Sequence, residues 1–174
     1  MIVLGIDPGL SAMGWGVVET RRGPRDLAAL GFGVLHTTND SGMAARLRML
    51  FEQVSELISL YRPTEMAVEE IYFERNVKTA IVVAQSKGVA MAAAGCAGLC
   101  SFDYSPLQVK LALTGYGKAQ KDQVQRMVQR LLGLQAQPRP SHAADALAVA
   151  VTHIHHQRLA RRAARHGGVP VRRA

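Results

Sequence analysis

The sequence contains only two cysteines, Cys96 and Cys100, which lie four residues apart near a predicted helix-to-strand junction. A metal site at these thiols would need further ligands at a matching spacing, and none lies nearby. Free cysteine is commonly buried in globular proteins. We therefore expect two buried thiols that bind no metal.

Long apolar runs and leader signals are also lacking. No stretch looks long and apolar enough to cross a bilayer, and Met1 leads into the apolar segment 2–6 without a preceding basic region. No small-residue cleavage site follows that segment, so a buried first strand explains it better than a signal peptide. The sequence therefore predicts a cytoplasmic protein with no membrane partner.

Acidic residues are missing from the C-terminal segment 158–174. Its six arginines account for all but two units of the net charge of +8, and they are Arg158, Arg161, Arg162, Arg165, Arg172 and Arg173. A positive net charge favours a polyanionic partner. Residues 1–157 are only mildly basic, so charge alone does not establish DNA binding. The segment has no apolar core pattern and predicts a basic, disordered tail.

The remaining chain, residues 1–157, has the size and the apolar content of one folded domain. Strands are predicted at 2–7, 14–20, 27–38, 66–69 and 99–104. Apolar spacing predicts helices at 43–60, 77–94, 106–113, 120–133 and 141–157. Three leading strands followed by alternating helices and strands predict an α/β domain with a mixed five-stranded sheet flanked by helices.

Carboxylates end two of the predicted strands. Asp7 closes the first strand on the face of Val3 and Gly5, and Glu69-Glu70 closes the strand that begins near Met66. Strand side chains alternate between faces, so only one of the two glutamates can join Asp7. Taken singly, Asp7 is equally well explained as a turn residue, and the glutamates are better explained as a solvated charge pair at a strand end.

His142 and Asp145 open an alanine-rich helix for which Ser141 is a plausible N-cap. Residues three apart are neighbours on a helix, so the two side chains form one polar patch. Asp145 could instead simply stabilise the helix by interacting with the positive end of its dipole. Together with the strand-end carboxylates, however, the patch could bind a hard cation such as Mg²⁺, whose shell a substrate phosphate completes. Such metals activate water and stabilise the leaving oxygen in phosphodiester cleavage.

Basic and aromatic residues surround these acids in the sequence. Tyr72 and Phe73 follow Glu69, while three lysines flank the loop 114–117, namely Lys110, Lys118 and Lys121. Lysines can contact phosphates, and an exposed aromatic ring can stack on an unpaired base. Taken singly, each lysine is more often a solvated surface residue, and an aromatic residue after a strand is more often part of the core.

The ordered set of motifs resembles the RuvC family, from about residue 2 to residue 156. It comprises Gly5–Gly9, Gly14–Val17, Ala67–Glu70, Gln85–Ala90 and Ala143–Ala148. The resemblance implies a ribonuclease H-like fold, a homodimer, and Mg²⁺-dependent paired nicking of four-way (Holliday) DNA junctions during homologous recombination and DNA repair. It also implies two Mg²⁺ per subunit, for which Mn²⁺ can substitute, and work beside a branch-migration helicase complex of the RuvA–RuvB type.

Site residues follow from the resemblance position by position. Asp7, Glu69 and Asp145 match metal-binding carboxylates of the family. Lys110 and Lys121 match its DNA-contacting lysines, and Tyr72 matches an aromatic residue near the junction centre.

One position departs from part of the family. Where some members have a fourth aspartate, this chain has His142. Imidazole can ligate a metal, although it suits softer ions than Mg²⁺. We expect His142 to be a catalytic metal ligand that favours Mn²⁺, with action on the nucleophilic water as the alternative.

The sequence motifs have three alternative interpretations. Gly-Ile-Asp-Pro-Gly is also similar to the first phosphate loop of actin-like ATPases and sugar kinases, but those proteins need a second lobe for which 174 residues leave no room. A related nuclease that acts on RNA or RNA–DNA hybrids would differ from a junction-cleaving nuclease only in its substrate. A pure binding module would not need the carboxylates.

Overall fold

The structure is a computed structural model that describes residues 1–21, 26–38, 40–70 and 77–165. The strands are β1 (Ile2–Asp7), β2 (Ala12–Thr20), β3 (Leu27–His36), β4 (Glu65–Glu69) and β5 (Cys100–Tyr104). The helices are α1 (Met43–Tyr61), α2 (Val77–Cys96), α3 (Pro106–Thr114), α4 (Lys121–Leu132) and α5 (Ser141–Arg165).

Across the described residues, the five strands form one mixed sheet in the order β3-β2-β1-β4-β5. Strand β1 pairs antiparallel with β2 and parallel with β4, and β4 pairs parallel with β5. Helices pack on both faces: α1 and α2 share one core cluster with the sheet, and α3, α4 and α5 share the other. This arrangement confirms the predicted α/β class and the mixed sheet.

Glycines on β1 and β2 let α5 lie very close to the sheet. Gly5 pairs with Gly16, and Gly14 pairs with Asp7. A Cβ added to Gly5 would lie 2.0 Å from the backbone oxygen of Ala146, and one added to Gly14 would lie 2.1 Å from that of His142. Since any larger residue would displace the helix, these glycines determine how deeply α5 is seated.

Helix α5 is longer than predicted. It continues to Arg165, so the expectation of a disordered tail beginning at residue 158 is wrong for residues 158–165. The alanine, arginine and leucine residues of this stretch are strong helix formers and extend the helix without a core to pack against. Residues 166–174 lie outside the described part of the chain.

Two expectations about apolar and thiol side chains are also wrong. Cys96 and Cys100 are both exposed, because they lie at the end of α2 and on the outermost strand β5. Residues 78–96 of α2 are long and apolar enough, by length and composition alone, to span a membrane. The exposed apolar face of this helix therefore needs an explanation.

Candidate active site

Asp7 and Glu69 lie at the same edge of the sheet because β1 and β4 are adjacent parallel strands. The register pairs Val3 with Glu65 and Gly5 with Ala67, which brings the two strand ends side by side. Both Asp7 and Glu69 line a cleft of about 400 Å³. Glu70 is exposed and outside that lining, as strand alternation predicts.

Helix α5 brings His142 and Asp145 to the same cleft. His142 Nδ1 donates a hydrogen bond to Asp7 Oδ2 at 2.7 Å. One potential ligand atom from each of Asp7, His142 and Asp145 lies within 4.8 Å of the others. The predicted convergence of strand-end carboxylates and a helix pair is therefore present in the folded chain.

Burial and neighbouring carboxylates raise the pKa of two carboxyl groups in the cleft. Burial, followed by the charges of Asp7 and Asp145, raises the pKa of Glu69 to about 8. Burial also raises the pKa of Asp7, although the hydrogen bond from His142 opposes this shift. Without a cation, burial and the neighbouring carboxylates therefore favour the protonated form of Glu69, which can donate a hydrogen bond to Asp7. A bound cation would reverse this effect and allow the neighbouring carboxylates to ionise together.

Lys121 supplies part of the missing positive charge. It is the first residue of α4, whose start is fixed by a hydrogen bond of 2.8 Å from the Gln120 amide to Gln123 Oε1. Its Nζ donates to Asp145 Oδ2, and its charge lowers the pKa of Glu69. The ammonium group thus offsets part of the negative charge of the carboxylates that line the cleft.

Of the other residues predicted to contact DNA, one lines the cleft, one lies outside it, and two are not among the described residues. Lys110 lies on α3, after the capping box formed by Ser105 and Gln108, and it lines the cleft. Lys118 is exposed in the turn between α3 and α4 and does not line the cleft. Tyr72 and Phe73 lie outside the described residues.

The donor set fits a divalent cation. Asp7, Glu69 and Asp145 offer the hard oxygens that Mg²⁺ and Mn²⁺ prefer, and few carboxylates leave positions for water and phosphate. His142 adds a nitrogen donor, which Mn²⁺ tolerates better than Mg²⁺.

The family model described as crossover junction endodeoxyribonuclease RuvC matches residues 3–153. The chain belongs to the RuvC family. A RuvC from Rubrobacter xylanophilus is 52% identical over 91% of this chain and 87% of that protein. A RuvC from Syntrophomonas wolfei is 48% identical over 91% of both chains.

Solved structures of related proteins are similar to this chain. Thermus thermophilus RuvC in complex with a Holliday junction substrate has a TM-score of 0.87 and 40% identity, covering 91% of this chain and 96% of that one. The yeast mitochondrial resolvase Ydc2 has a TM-score of 0.72 at 11% identity, covering 94% and 83% of the two chains, and supports the fold alone. The predicted ribonuclease H-like fold and RuvC membership are confirmed.

Sequence reasoning missed two features of this RuvC-family site. The first is the seating of α5 on Gly5 and Gly14, for which facing glycines on adjacent strands were the available signal. The second is the direct pairing of Lys121 with Asp145, which spans 24 positions in the sequence and has no local signature.

Proposed function

We propose that this chain is a structure-selective endonuclease that resolves Holliday (four-way) DNA junctions during homologous recombination and DNA repair. The observation that carries this proposal is the convergence of Asp7, Glu69, His142 and Asp145 in one cleft with Lys110 and Lys121. The similarity to a RuvC solved with a Holliday junction substrate supports the choice of DNA structure.

Asp7, Glu69, His142 and Asp145 would hold Mg²⁺, two ions per subunit, with Mn²⁺ as a substitute. When bound, the ions supply an activated water and charge stabilisation for the leaving oxygen. Asp7 would orient His142 through their 2.7 Å hydrogen bond, which engages Nδ1 and leaves Nε2 as the other ring nitrogen that could bind an ion. Lys121 can exchange its contact with Asp145 for one with a phosphate, and Lys110 borders the same cleft.

A homodimer accounts for the exposed apolar face of α2. Ile81 and Met91 are exposed large apolar residues, and nothing lies within 4 Å of a Cβ added to Gly88 or Gly95. Two such helices can approach closely about a two-fold axis. A C₂ dimer presents one cleft to each of two opposed strands of a junction with approximate two-fold symmetry, which permits paired nicks.

Residues 1–157 form the nuclease domain, and the basic segment 158–174 adds affinity for phosphates. Tyr72 and Phe73 stack on bases near the junction centre, and Lys118 contacts the DNA backbone. The protein acts in the cytoplasm beside a branch-migration helicase complex of the RuvA–RuvB type.

Substrate choice tests this function against the alternative of a ribonuclease H-like nuclease acting on RNA or RNA–DNA hybrids. The full chain is incubated with Mg²⁺ and labelled four-way junction, linear duplex or RNA–DNA hybrid of the same sequence. We expect paired cuts in opposed strands of the junction and little cutting of the other two. Preferential cleavage of the hybrid would reject junction resolution.

A further inference from the structure

A buried polar network lies on the sheet face that carries the active site, but outside the cleft. His153 of α5 is fully buried. Its Nδ1 lies 2.8 Å from the hydroxyl of Tyr104, and its Nε2 lies 2.7 Å from Oε2 of Glu65. The ring also packs on Phe102, with 4.7 Å between the ring centroids. Elements β4, β5 and α5 are therefore joined through one imidazole.

The protonation states follow from the chemistry of the partners. A carboxylate can only accept, so Nε2–H of His153 donates to Glu65. Burial lowers the pKa of His153, which keeps the ring neutral and leaves Nδ1 to accept from the Tyr104 hydroxyl. Burial raises the pKa of Tyr104 to about 12, so that hydroxyl retains its proton. Both ring nitrogens are thus satisfied in a single tautomer.

The network joins two elements that also carry active-site residues, and Glu65 lies at the end of β4 opposite Glu69. Glu65 and Glu69 are the first and last residues of β4 and share one face, about 13 Å apart at the usual strand rise. Asp145 and His153 are eight residues apart on α5, which is about 12 Å at the usual helical rise. The two separations match, so the His153–Glu65 hydrogen bond ties α5 to β4 at a level below the site that both elements then reach with Asp145 and Glu69.

Tyr104 connects the network to Glu69. The ladder pairs Tyr104 with Glu69, and the Tyr104 backbone oxygen accepts from the amide of Glu70 at 2.8 Å. A shift of His153 would therefore act both on the strand end that carries Glu69 and on the helix that carries Asp145.

We propose that Glu65, His153 and Tyr104 form a positioning network that sets the spacing between Asp145 and Glu69 and thereby the affinity of the site for a divalent cation. The inference rests on the proposed function insofar as those carboxylates bind the metal. None of the three side chains of the network lines the cleft, so they act through the positions of the ligands.

Calorimetric titration of Mn²⁺ into the DNA-free chain tests the inference without relying on cleavage. Tyr104→Phe removes one hydroxyl, Glu65→Ala removes the acceptor for Nε2–H, and Glu65→Gln retains an oxygen acceptor. We expect about tenfold weaker Mn²⁺ binding for Tyr104→Phe and Glu65→Ala, and partial recovery for Glu65→Gln. Junction cleavage should need more metal yet approach the unaltered kcat at saturation.

Val54→Ala is the matched control. Val54 is a fully buried residue of α1 in the other core cluster, so its truncation lowers stability without touching the network. Its Mn²⁺ affinity should equal that of the unaltered chain. Unchanged Mn²⁺ affinity in Tyr104→Phe, an equal loss in Val54→Ala, or no Mn²⁺ binding by the unaltered chain would overturn the inference. A network-dependent Mn²⁺ affinity without cleavage of any junction would reject the proposed function alone.

Discussion

At the scale of single residues, the two adjacent glutamates at the end of β4 have very different surroundings. Glu69 faces Asp7 in the cleft, whereas Glu70 is exposed. We predict that Glu69→Gln slows junction cleavage by roughly a hundredfold or more, as for loss of a group that stabilises transition-state charge. Glu70→Gln should cleave at nearly the unaltered rate. Single-turnover cleavage rates check the ranking, and the reverse order would reject the assignment of Glu69 to the site.

The same residue makes the stability of the metal-free chain depend on pH. The pKa of Glu69 is raised from 4.5 to about 8 in the folded state, so folding favours its protonated form. Its contribution is fully present below pH 4.5 and is lost as the pH rises towards 8. A glutamine stays neutral throughout this range.

We therefore predict that, with a chelator present, Glu69→Gln gains free energy of unfolding relative to the unaltered chain as the pH rises from 4.5 to 8. Urea unfolding at several pH values measures the difference, and Glu70→Gln serves as the control. A difference that stays constant with pH would contradict the proposed burial of Glu69 among like charges.

At the scale of secondary-structure elements, the geometry of the active site depends on how closely α5 packs on β1 and β2. Gly5→Ala would place a Cβ 2.0 Å from the Ala146 oxygen, so the helix must move away from Asp7. We predict a loss of roughly 1–3 kcal/mol of stability, as for other overpacked cores, together with weaker Mg²⁺ binding and slower cleavage.

Gly42→Ala provides the comparison, because nothing lies within 4 Å of a Cβ at Gly42. Thermal unfolding and Mg²⁺ titration of both variants measure the effects. Normal metal binding by Gly5→Ala would show that α5 can shift without disturbing the site.

The elements themselves could be predicted from the sequence, because local patterns determine them. The apolar run 2–6 predicts β1, and the spacing of Leu50, Val54 and Leu57 predicts α1. The motifs around Asp7, Glu69 and Asp145 likewise predicted which carboxylates converge.

Other features could not be predicted, since they depend on packing between distant segments. The bond from His142 to Asp7 spans 135 positions and requires α5 to lie on glycines of two strands. The exposure of Cys100 follows from the position of β5 at the edge of the sheet. Neither relation leaves a periodic signal in the sequence.

At the scale of the whole molecule, the proposed paired nicking would depend on a dimer that holds two clefts in a fixed relation. We predict that Gly88→Glu, which introduces a charge on the exposed face of α2 without an internal clash, converts a dimer to a monomer. The variant should nick one strand of the junction at a time, without coupling the two cuts. Ala44→Glu on the exposed part of α1 is the control. Sedimentation and cut mapping check both, and a dimeric Gly88→Glu would reject α2 as the interface.

In the proposed function, one carboxylate-lined cleft both binds the metal and cuts the junction. Asp7→Asn tests it most directly, because the amide is nearly isosteric but is a poorer ligand for Mg²⁺. Junction binding by gel shift and junction cleavage on denaturing gels are measured for the same preparation. We predict that binding is retained and that Mg²⁺-dependent cleavage is abolished. Cleavage at a near-normal rate by Asp7→Asn would contradict the account.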